Sequence, residues 1–375
     1  MPEGKSAEQR RAAMRLARRR AVAIIDLDAL RNNFRQLAEM SAPAVGAPVV
    51  KGDGYGLGMV AIAMAAADAG ARMFLVARRE DGEALRAALP QAEILILDGL
   101  GAHDPEEFEA HGLTPVLGDL GDLRTWFGKP RRVPAFVHID TGMNRLGLRP
   151  EETDTANIIL RSAPKGALAG YMTHFLNADD ADQERCAKQV QEFQSAIARL
   201  PEARTSIVNS AGLFLDEMRE WRGSFTRLGK ALYGFHTGPL NHPNPMRPVL
   251  SVYAPILQVR DVAAGETIGY GATYVAQSPM RIATLGIGYT NGYLRSLSNI
   301  GAVYLEGVRA PLAGRVSMDL LTVDVTHVPE AALAPGIAEI LGPNIDLTEL
   351  SALAGSNEHE MQIALGRGCY QMYVG

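Results

Sequence analysis

From residue 22 to about residue 240, short apolar runs alternate with longer, alanine-rich stretches that read as helices. Residues 22–25 lead in, and residues 28–40 read as the first helix. Apolar runs then fall at 48–51, 73–77, 93–97, 114–117, 133–140, 168–174, 205–208 and 225–235, with helical segments between them. Eight strand candidates separated by helices are the rhythm of a parallel β/α barrel. A doubly wound open sheet shares the alternation, so the count of eight carries the choice. No GxGxxG follows the first strand, which removes the usual dinucleotide-binding reading.

Near His242-Pro243-Asn244-Pro245 the texture changes. Beyond it, β-branched runs at 249–262, 267–276, 281–287, 302–308 and 320–325 lie between glycine-rich turns, and helical pattern is scarce until 346–354. The expected organisation is a basic, solvated arm over residues 1–20, a (β/α)8 barrel over 21–245 and a mostly-β domain over 246–375.

Length and composition are consistent with this. A chain of 375 residues is long for one core, and 47% hydrophobic with 21% charged residues describes an ordinary soluble globular protein. The net charge of -5 hides an asymmetry: residues 1–20 hold seven Lys/Arg and two Glu, a net of +5, which leaves -10 for the rest. An acidic body argues against nucleic acid or an anionic membrane as the main partner. The apolar run after the basic start stops at Asp26, too short for a signal-peptide core, and no apolar stretch reaches transmembrane length. The arm is therefore expected to fray in solvent. Cys186 and Cys369 form no metal or redox spacing, so no metal site is expected and a reducing cytoplasm is the expected compartment.

In a β/α barrel the chemistry gathers at the C-terminal ends of the strands. Lys51 ends the first candidate strand and opens the loop Gly52-Asp53-Gly54-Tyr55-Gly56-Leu57-Gly58. An amine beside apolar walls loses its proton easily and can form a Schiff base, while the glycines let backbone and Tyr55 come close to a ligand. Asp140-Thr141-Gly142-Met143-Asn144-Arg145 follows strand five, His174 ends strand six, Asn209-Ser210 follow strand seven, and Arg227-Leu228-Gly229-Lys230 lie in strand eight or its exit. Each has a bland alternative: Arg145 as a loop charge, His174 as a satisfied core histidine, Ser210 as a helix cap. Five strand ends agree, and that agreement favours a site. Ser210 and the Gly229 and Lys230 amides follow strands seven and eight, where barrels commonly bind phosphate. A nucleophilic lysine facing a phosphate cradle suggests pyridoxal phosphate. Among six lysines, Lys230 is the only rival to Lys51. In the second domain, Tyr270, Tyr289 and Met318 sit in glycine-flanked stretches that composition alone would assign to turns.

Together these stretches resemble the alanine racemase family over nearly the whole chain, from residue 21 to 375. The matching motifs are VVKGDGYGLG at 49–58, HIDTGMNRLG at 138–147, MTHF at 172–175, NSAG at 209–212, TRLGKALYGF at 226–235, IGYGATY at 268–274, IGYTNGYLR at 287–295 and GRVSMD at 314–319. The resemblance implies a homodimeric, pyridoxal-phosphate-dependent isomerase that racemises L-alanine to D-alanine for peptidoglycan. Each site would join one subunit's barrel to the other's β domain. Lys51 would hold the cofactor and act as base on the D-alanine side, with the partner subunit's Tyr270 as base on the L-alanine side. Arg227 would bond to the pyridine nitrogen with His174 behind it, and Tyr55, Ser210, Gly229 and Lys230 would hold the phosphate. Arg145 would lie by the phenolic oxygen, Met318 would bind the substrate carboxylate through its backbone, and Tyr289 would narrow the entrance. Competing readings are a serine or broad-spectrum racemase of the same fold and a non-catalytic pyridoxal-phosphate carrier. The chain departs from the family pattern at His138, where many members carry a carbamylated lysine, and at Ser206, where a histidine is common. A third departure is Arg367, where a phosphate-binding tyrosine is expected and for which Tyr370 is a candidate substitute.

Overall fold

The computed structural model describes residues 2–179, 184–237, 244–333 and 336–375, so His242 and Pro243 of the expected linker lie outside the described residues. The chain divides into two compact units. One comprises Leu30–Gly54 and Gly58–Arg247, the other Met1–Ala29, Tyr55–Leu57 and Pro248–Gly375.

Strand β1, Val22–Asp26, belongs to the second of these, not to the lead-in of the barrel. The first unit holds eight parallel strands: β2 Val45–Pro48, β3 Met73–Val76, β4 Glu93–Ile96, β5 Thr114–Leu117, β6 Ala135–His138, β7 Leu168–Met172, β8 Arg204–Ser206 and β9 Phe225–Leu228. Ladders join β3 through β8 in chain order, and β9 pairs with β2. Two isolated parallel bridges, Val49↔Leu75 and Asn209↔Arg227, complete the circuit. The ring closes, so the described strands leave no open edge. Burial on both sides explains why these strands read as continuous apolar runs without alternation. The Phe136 and Phe225 rings meet edge to face at 5.5 Å inside this unit.

Two strand ends differ from the pattern-based expectation. The first barrel strand ends at Pro48, three residues before Lys51. Residues 52–55 then all have φ between 55° and 65°, a left-handed turn that no strand can contain. The run 225–235 is strand only to Leu228, because the chain turns at Gly229 into a short helical turn, Lys230–Tyr233.

The second unit is built on β10, Leu250–Val262. Its first half pairs with β1 and with the late strand Ile337–Leu341, its second half with Met280–Leu285, and the register shifts between Ile256 and Gln258. That irregularity lets one long strand serve both parts of the sheet. The C-terminal strand Tyr370–Val374 runs parallel to β1 at the sheet's end.

The basic arm is not solvated along its length. Pro2–Ala17 forms a helix whose Ala13 and Ala17 are fully buried against Val22, Ile24 and Val374. Alanines four apart give a flat face that fits closely on a sheet, while Arg11, Arg15 and Arg18 face solvent. Arg10 pairs with Asp26, and the Gly375 amide donates to Gln9 Oε1 at 3.1 Å.

Candidate active site

Lys51 opens the left-handed turn. Such a conformation costs a residue with a Cβ about 1–2 kcal/mol, and alternate glycines confine that cost to Asp53 and Tyr55. Asp53 offsets it by capping the next helix: its Oδ1 accepts from Met59 N at 2.9 Å, and its carbonyl accepts from Gly58 N at 2.9 Å. The half-buried Lys51 amine is held below its ordinary pKa, first by burial and then by the Arg145 charge. Asp98 pulls it up and Arg227 pushes it further down.

Arg227, on β9, is 4% exposed and forms the most heavily bonded group of the barrel mouth. Its Nη1 donates to Ser206 O at 3.0 Å and to Ser206 Oγ at 2.6 Å. Its Nη2 donates to Thr173 O at 2.5 Å, to Ile207 O at 3.0 Å and towards His174 Nδ1 at 3.2 Å. All four Nη hydrogens have acceptors, which leaves Nε as the guanidinium nitrogen with no partner among the described residues. Burial pushes the Arg227 pKa down to about 10, which still leaves it cationic at neutral pH.

Burial, followed by the Arg227, Lys51 and Arg145 charges, keeps the His174 imidazole well below its ordinary range. A neutral ring can accept at Nδ1, as the Arg227 contact requires. His138 is likewise neutral. Burial first, and then Arg227 and Arg145 against the opposing pull of Asp140, lower it to about 4. The Asp140 carboxylate is taken up by its own loop, accepting from Gly142 N at 3.0 Å and Met143 N at 2.9 Å. The mouth thus gathers three cations, Lys51, Arg145 and Arg227, around two neutral imidazoles, a field that favours an anionic ligand.

Ser210 is 3% exposed, and its Oγ accepts from Ala231 N at 3.5 Å, which sets it beside the 229–231 turn. The Lys230 ammonium pairs with Asp179 at 3.1 Å. The barrel therefore brings together Lys51, His138, Arg145, His174, Ser210, Arg227, Gly229 and Lys230. It also uses residues that the strand-end argument passed over. Asp98 follows β4 as plainly as Asp140 follows β6. Thr173 meets Arg227 through its carbonyl, which no sequence pattern marks.

The other candidates lie in the β unit. Tyr55 is buried, which pushes its hydroxyl pKa up to about 12. Its segment is tied down there: Gln362 Nε2 donates to Tyr55 O at 3.2 Å, Gln371 Nε2 to Gly56 O at 2.9 Å and Tyr373 Oη to Leu57 O at 3.1 Å. Tyr270, Met318 and Tyr289 are 71%, 55% and 42% exposed. Thr290 Oγ1 donates to Met318 O at 3.0 Å and to Asp319 Oδ1 at 2.6 Å, holding the Met318 turn. A Cβ on Gly288 would stand 2.4 Å from Met318 O, so only glycine fits beneath that turn. The ring of Tyr370 is covered by the Arg20 guanidinium at 4.5 Å, and Arg367 is exposed. Among the described residues no three His, Cys, Asp or Glu side chains are grouped as a metal site needs, and no helix is long and apolar enough to cross a membrane.

Residues 25–237 match the family model for the N-terminal domain of alanine racemase, and residues 249–373 match that for its C-terminal domain. The alanine racemase of Acidiphilium cryptum is 42% identical over 348 residues, 91% of this chain and 95% of the relative. The catabolic alanine racemase of Agrobacterium fabrum is 37% identical, with 93% of this chain and 91% of the relative covered. Among solved structures, the alanine racemase of Bartonella henselae with covalently bound pyridoxal phosphate superposes with a TM-score of 0.89 at 33% identity, covering 95% of this chain and 99% of that one.

Proposed function

Because the chain belongs to the alanine racemase family through both of its domains, we propose how its own side chains carry that family's reaction. The chain interconverts L- and D-alanine and uses pyridoxal phosphate. The residues present fit that cofactor: an amine with weakened hold on its proton, a buried guanidinium with one unengaged donor, and a serine beside a turn where backbone amides can meet phosphate. When bound, pyridoxal phosphate withdraws electrons from the substrate and makes its α-proton removable.

In this reading Lys51 holds the cofactor covalently and is the base on the D-alanine face. Its lowered pKa suits proton exchange nearer neutrality than an ordinary lysine allows. Arg227 offers its Nε proton to the pyridine nitrogen. A guanidinium does not give that proton up, so the nitrogen stays unprotonated and side reactions such as transamination are limited. His174 accepts from Nη2 on one side, and Ser206, standing where relatives commonly carry histidine, accepts from Nη1 on the other. Tyr55, Ser210 and the main-chain amides of Gly229 and Lys230 hold the phosphate, and Arg145 lies by the phenolic oxygen. A histidine cannot carry the carbamate of the lysine it replaces, so with His138 at that position Arg145 serves without that support.

The second base is the partner subunit's Tyr270, on the L-alanine face. The 71% exposure of Tyr270 within one chain supports this, since a catalytic group needs a dry, fixed setting that a second copy supplies. Met318 binds the substrate carboxylate through its backbone, and Tyr289 narrows the entrance. The functional assembly is then a homodimer, with the boundary between barrel and β domain near residue 245. We place it in the cytoplasm, supplying D-alanine for peptidoglycan.

The observation that carries this reading is the buried Arg227, bonded through both Nη atoms and with Nε unengaged among the described residues, beside a desolvated lysine. The test is a visible spectrum of the purified protein before and after borohydride, followed by L-alanine and an assay for the D-form. A reducible cofactor band with D-alanine appearing is expected. A preference of tenfold or more for another amino acid (about 1.4 kcal/mol in the transition state) would replace alanine as the substrate. A band without turnover on any amino acid would leave only a cofactor carrier.

A further inference from the structure

The barrel contains a buried polar strut with no role in the reading above. Gln189 lies on the helix Glu184–Ile197 and is 4% exposed. Its Nε2 donates to Thr141 Oγ1 at 3.0 Å and to His174 O at 2.9 Å, and its Oε1 accepts from Leu176 N at 2.9 Å. The orientation of the amide is dictated by these partners. The Leu176 amide can only donate and the His174 carbonyl can only accept, so a flipped side chain would lose both bonds. Thr141 Oγ1 in turn lies 2.7 Å from Thr173 Oγ1, and the carbonyl of the same Thr173 accepts from Arg227 Nη2.

One side chain therefore ties together two strand exits. The exit of β6 carries Asp140, Thr141 and Arg145, and the exit of β7 carries Thr173, His174 and Leu176. A fully satisfied buried network fixes the groups it joins, because moving any one of them leaves a donor or acceptor unpaired away from water. An apolar side chain at residue 189 would fill the same space without fixing either exit.

We propose that Gln189 is a positioning residue for racemisation. It sets the His174 ring and the Arg145 loop relative to each other, and through His174 and Thr173 it orients the Arg227 guanidinium. The proposal rests on the reading that Arg227 and His174 serve the cofactor.

The test compares cofactor-loaded wild type with Gln189→Leu, which keeps the chain's bulk and removes its polar atoms. The variant is expected to bind pyridoxal phosphate at full stoichiometry and to keep its KM for alanine near wild type. Its kcat should fall about tenfold or more, as misplacement far from the chemistry can cause. The absorption of the bound cofactor should shift with pH across the neutral range, where wild type stays constant, because the pyridine nitrogen is no longer faced by a fixed Arg227. Wild-type kcat with a pH-independent spectrum would overturn the proposal. So would a kcat loss fully accounted for by unfolded or cofactor-free protein. If Gln189→Leu does not fold, Thr141→Val cuts only the link to the Arg145 loop and should give the same spectral change with a smaller loss of kcat; an unchanged spectrum there would also overturn it. Wild-type protein that binds no pyridoxal phosphate, or whose own spectrum shifts with pH, would instead overturn the reading of Arg227, and the proposal with it.

Discussion

In the barrel, Arg227 and Ser210 are 4% and 3% exposed and the guanidinium is bonded through both Nη atoms to its own chain, whereas in the β unit Tyr270, Tyr289 and Met318 are largely in solvent. The barrel residues are finished by the chain that carries them. The β-unit residues form a surface, held firmly from beneath by Thr290 and Gly288 and open above. Rigid support under exposed aromatic and apolar groups is what a surface needs if another molecule is to complete it. The sharpest way to break this comparison is complementation. Lys51→Ala and Tyr270→Phe should each lose about 10²–10⁴-fold or more in activity as homodimers, with Tyr270→Phe keeping its cofactor band. After mixed refolding, half the dimers are hybrids with one intact and one doubly defective site, so roughly a quarter of wild-type activity should return if the sites are shared across a two-fold axis. If Tyr270 serves its own chain, the mixture stays as inactive as its parents.

The same contrast explains how much could be read from sequence. The eight strands were legible because strands buried on both faces leave uninterrupted apolar runs, and Lys51, His174 and Arg227 were legible because a barrel places its chemistry at strand ends. The left-handed turn after Pro48 was not legible as such. Its glycines signalled freedom without saying which conformation they adopt, so Lys51 was expected to end a strand that in fact stops earlier. The helix Pro2–Ala17 was hidden by its arginines, since charge dominates composition while Ala13 and Ala17, which make the contact, look unremarkable in a chain rich in alanine. Ser206 was noted only as a missing histidine, although it bonds the guanidinium with both its hydroxyl and its carbonyl. Backbone acceptors such as Thr173 O and Ile207 O leave no trace in sequence at all.

A second break targets the self-contained half. Arg227→Leu removes the guanidinium donors from Ser206 Oγ, Thr173 O and Ile207 O, while Ser206 O keeps the Thr173 amide at 3.2 Å, and each buried acceptor left unpaired costs about 1–3 kcal/mol. Both tryptophans, Trp126 and Trp221, lie in the barrel unit. The urea midpoint followed by tryptophan fluorescence should therefore fall by several kcal/mol equivalents, well beyond the same measurement on Tyr270→Phe. If the two variants unfold alike, the barrel is not the more tightly bonded half.

Acid should act on the barrel too, through His138. Its folded-state pKa is about 4 against an ordinary 6.5, with burial the main cause and Arg227 next. Between those values the unfolded chain binds more protons than the folded one, so stability present above pH 6.5 is lost as pH falls through the window. His174, lowered for the same first reason, adds to the loss. Measured between pH 7.5 and 5, the barrel midpoint should drop, and His138→Gln should flatten that slope. An unchanged slope would mean that His138 is not buried neutral.

In the β unit the corresponding change is smaller and shows in a different observable. Thr290→Val removes the single hydroxyl proton shared between Met318 O and Asp319 Oδ1, worth about 0.5–1.5 kcal/mol net and less where solvent can replace it, and leaves the residue 290 amide donating to Met318 O at 3.0 Å. KM for alanine should rise severalfold with the cofactor spectrum unchanged. A shifted spectrum would mean that the Met318 turn bears on the cofactor more than on the substrate.

The smallest expected effect separates the two reasons for a glycine. Gly52 has φ of +65°, and a Cβ there would meet nothing within 4 Å, whereas one on Gly288 would strike Met318 O at 2.4 Å. Gly52→Ala therefore tests conformation without collision. An alanine in a left-handed turn costs about 1–2 kcal/mol, lessened slightly because alanine also restricts the unfolded chain. The barrel midpoint should fall by about 1 kcal/mol, and Tyr270→Phe carried out beside it should leave that midpoint alone. If Gly52→Ala costs no stability but weakens cofactor binding, the glycine follows Lys51 to leave room for a ligand, and the turn's handedness is set by Gly54 and Gly56. If it costs stability and leaves binding intact, the left-handed winding itself is what the residue supplies, and Lys51 owes its position to the backbone, not to open space beside it.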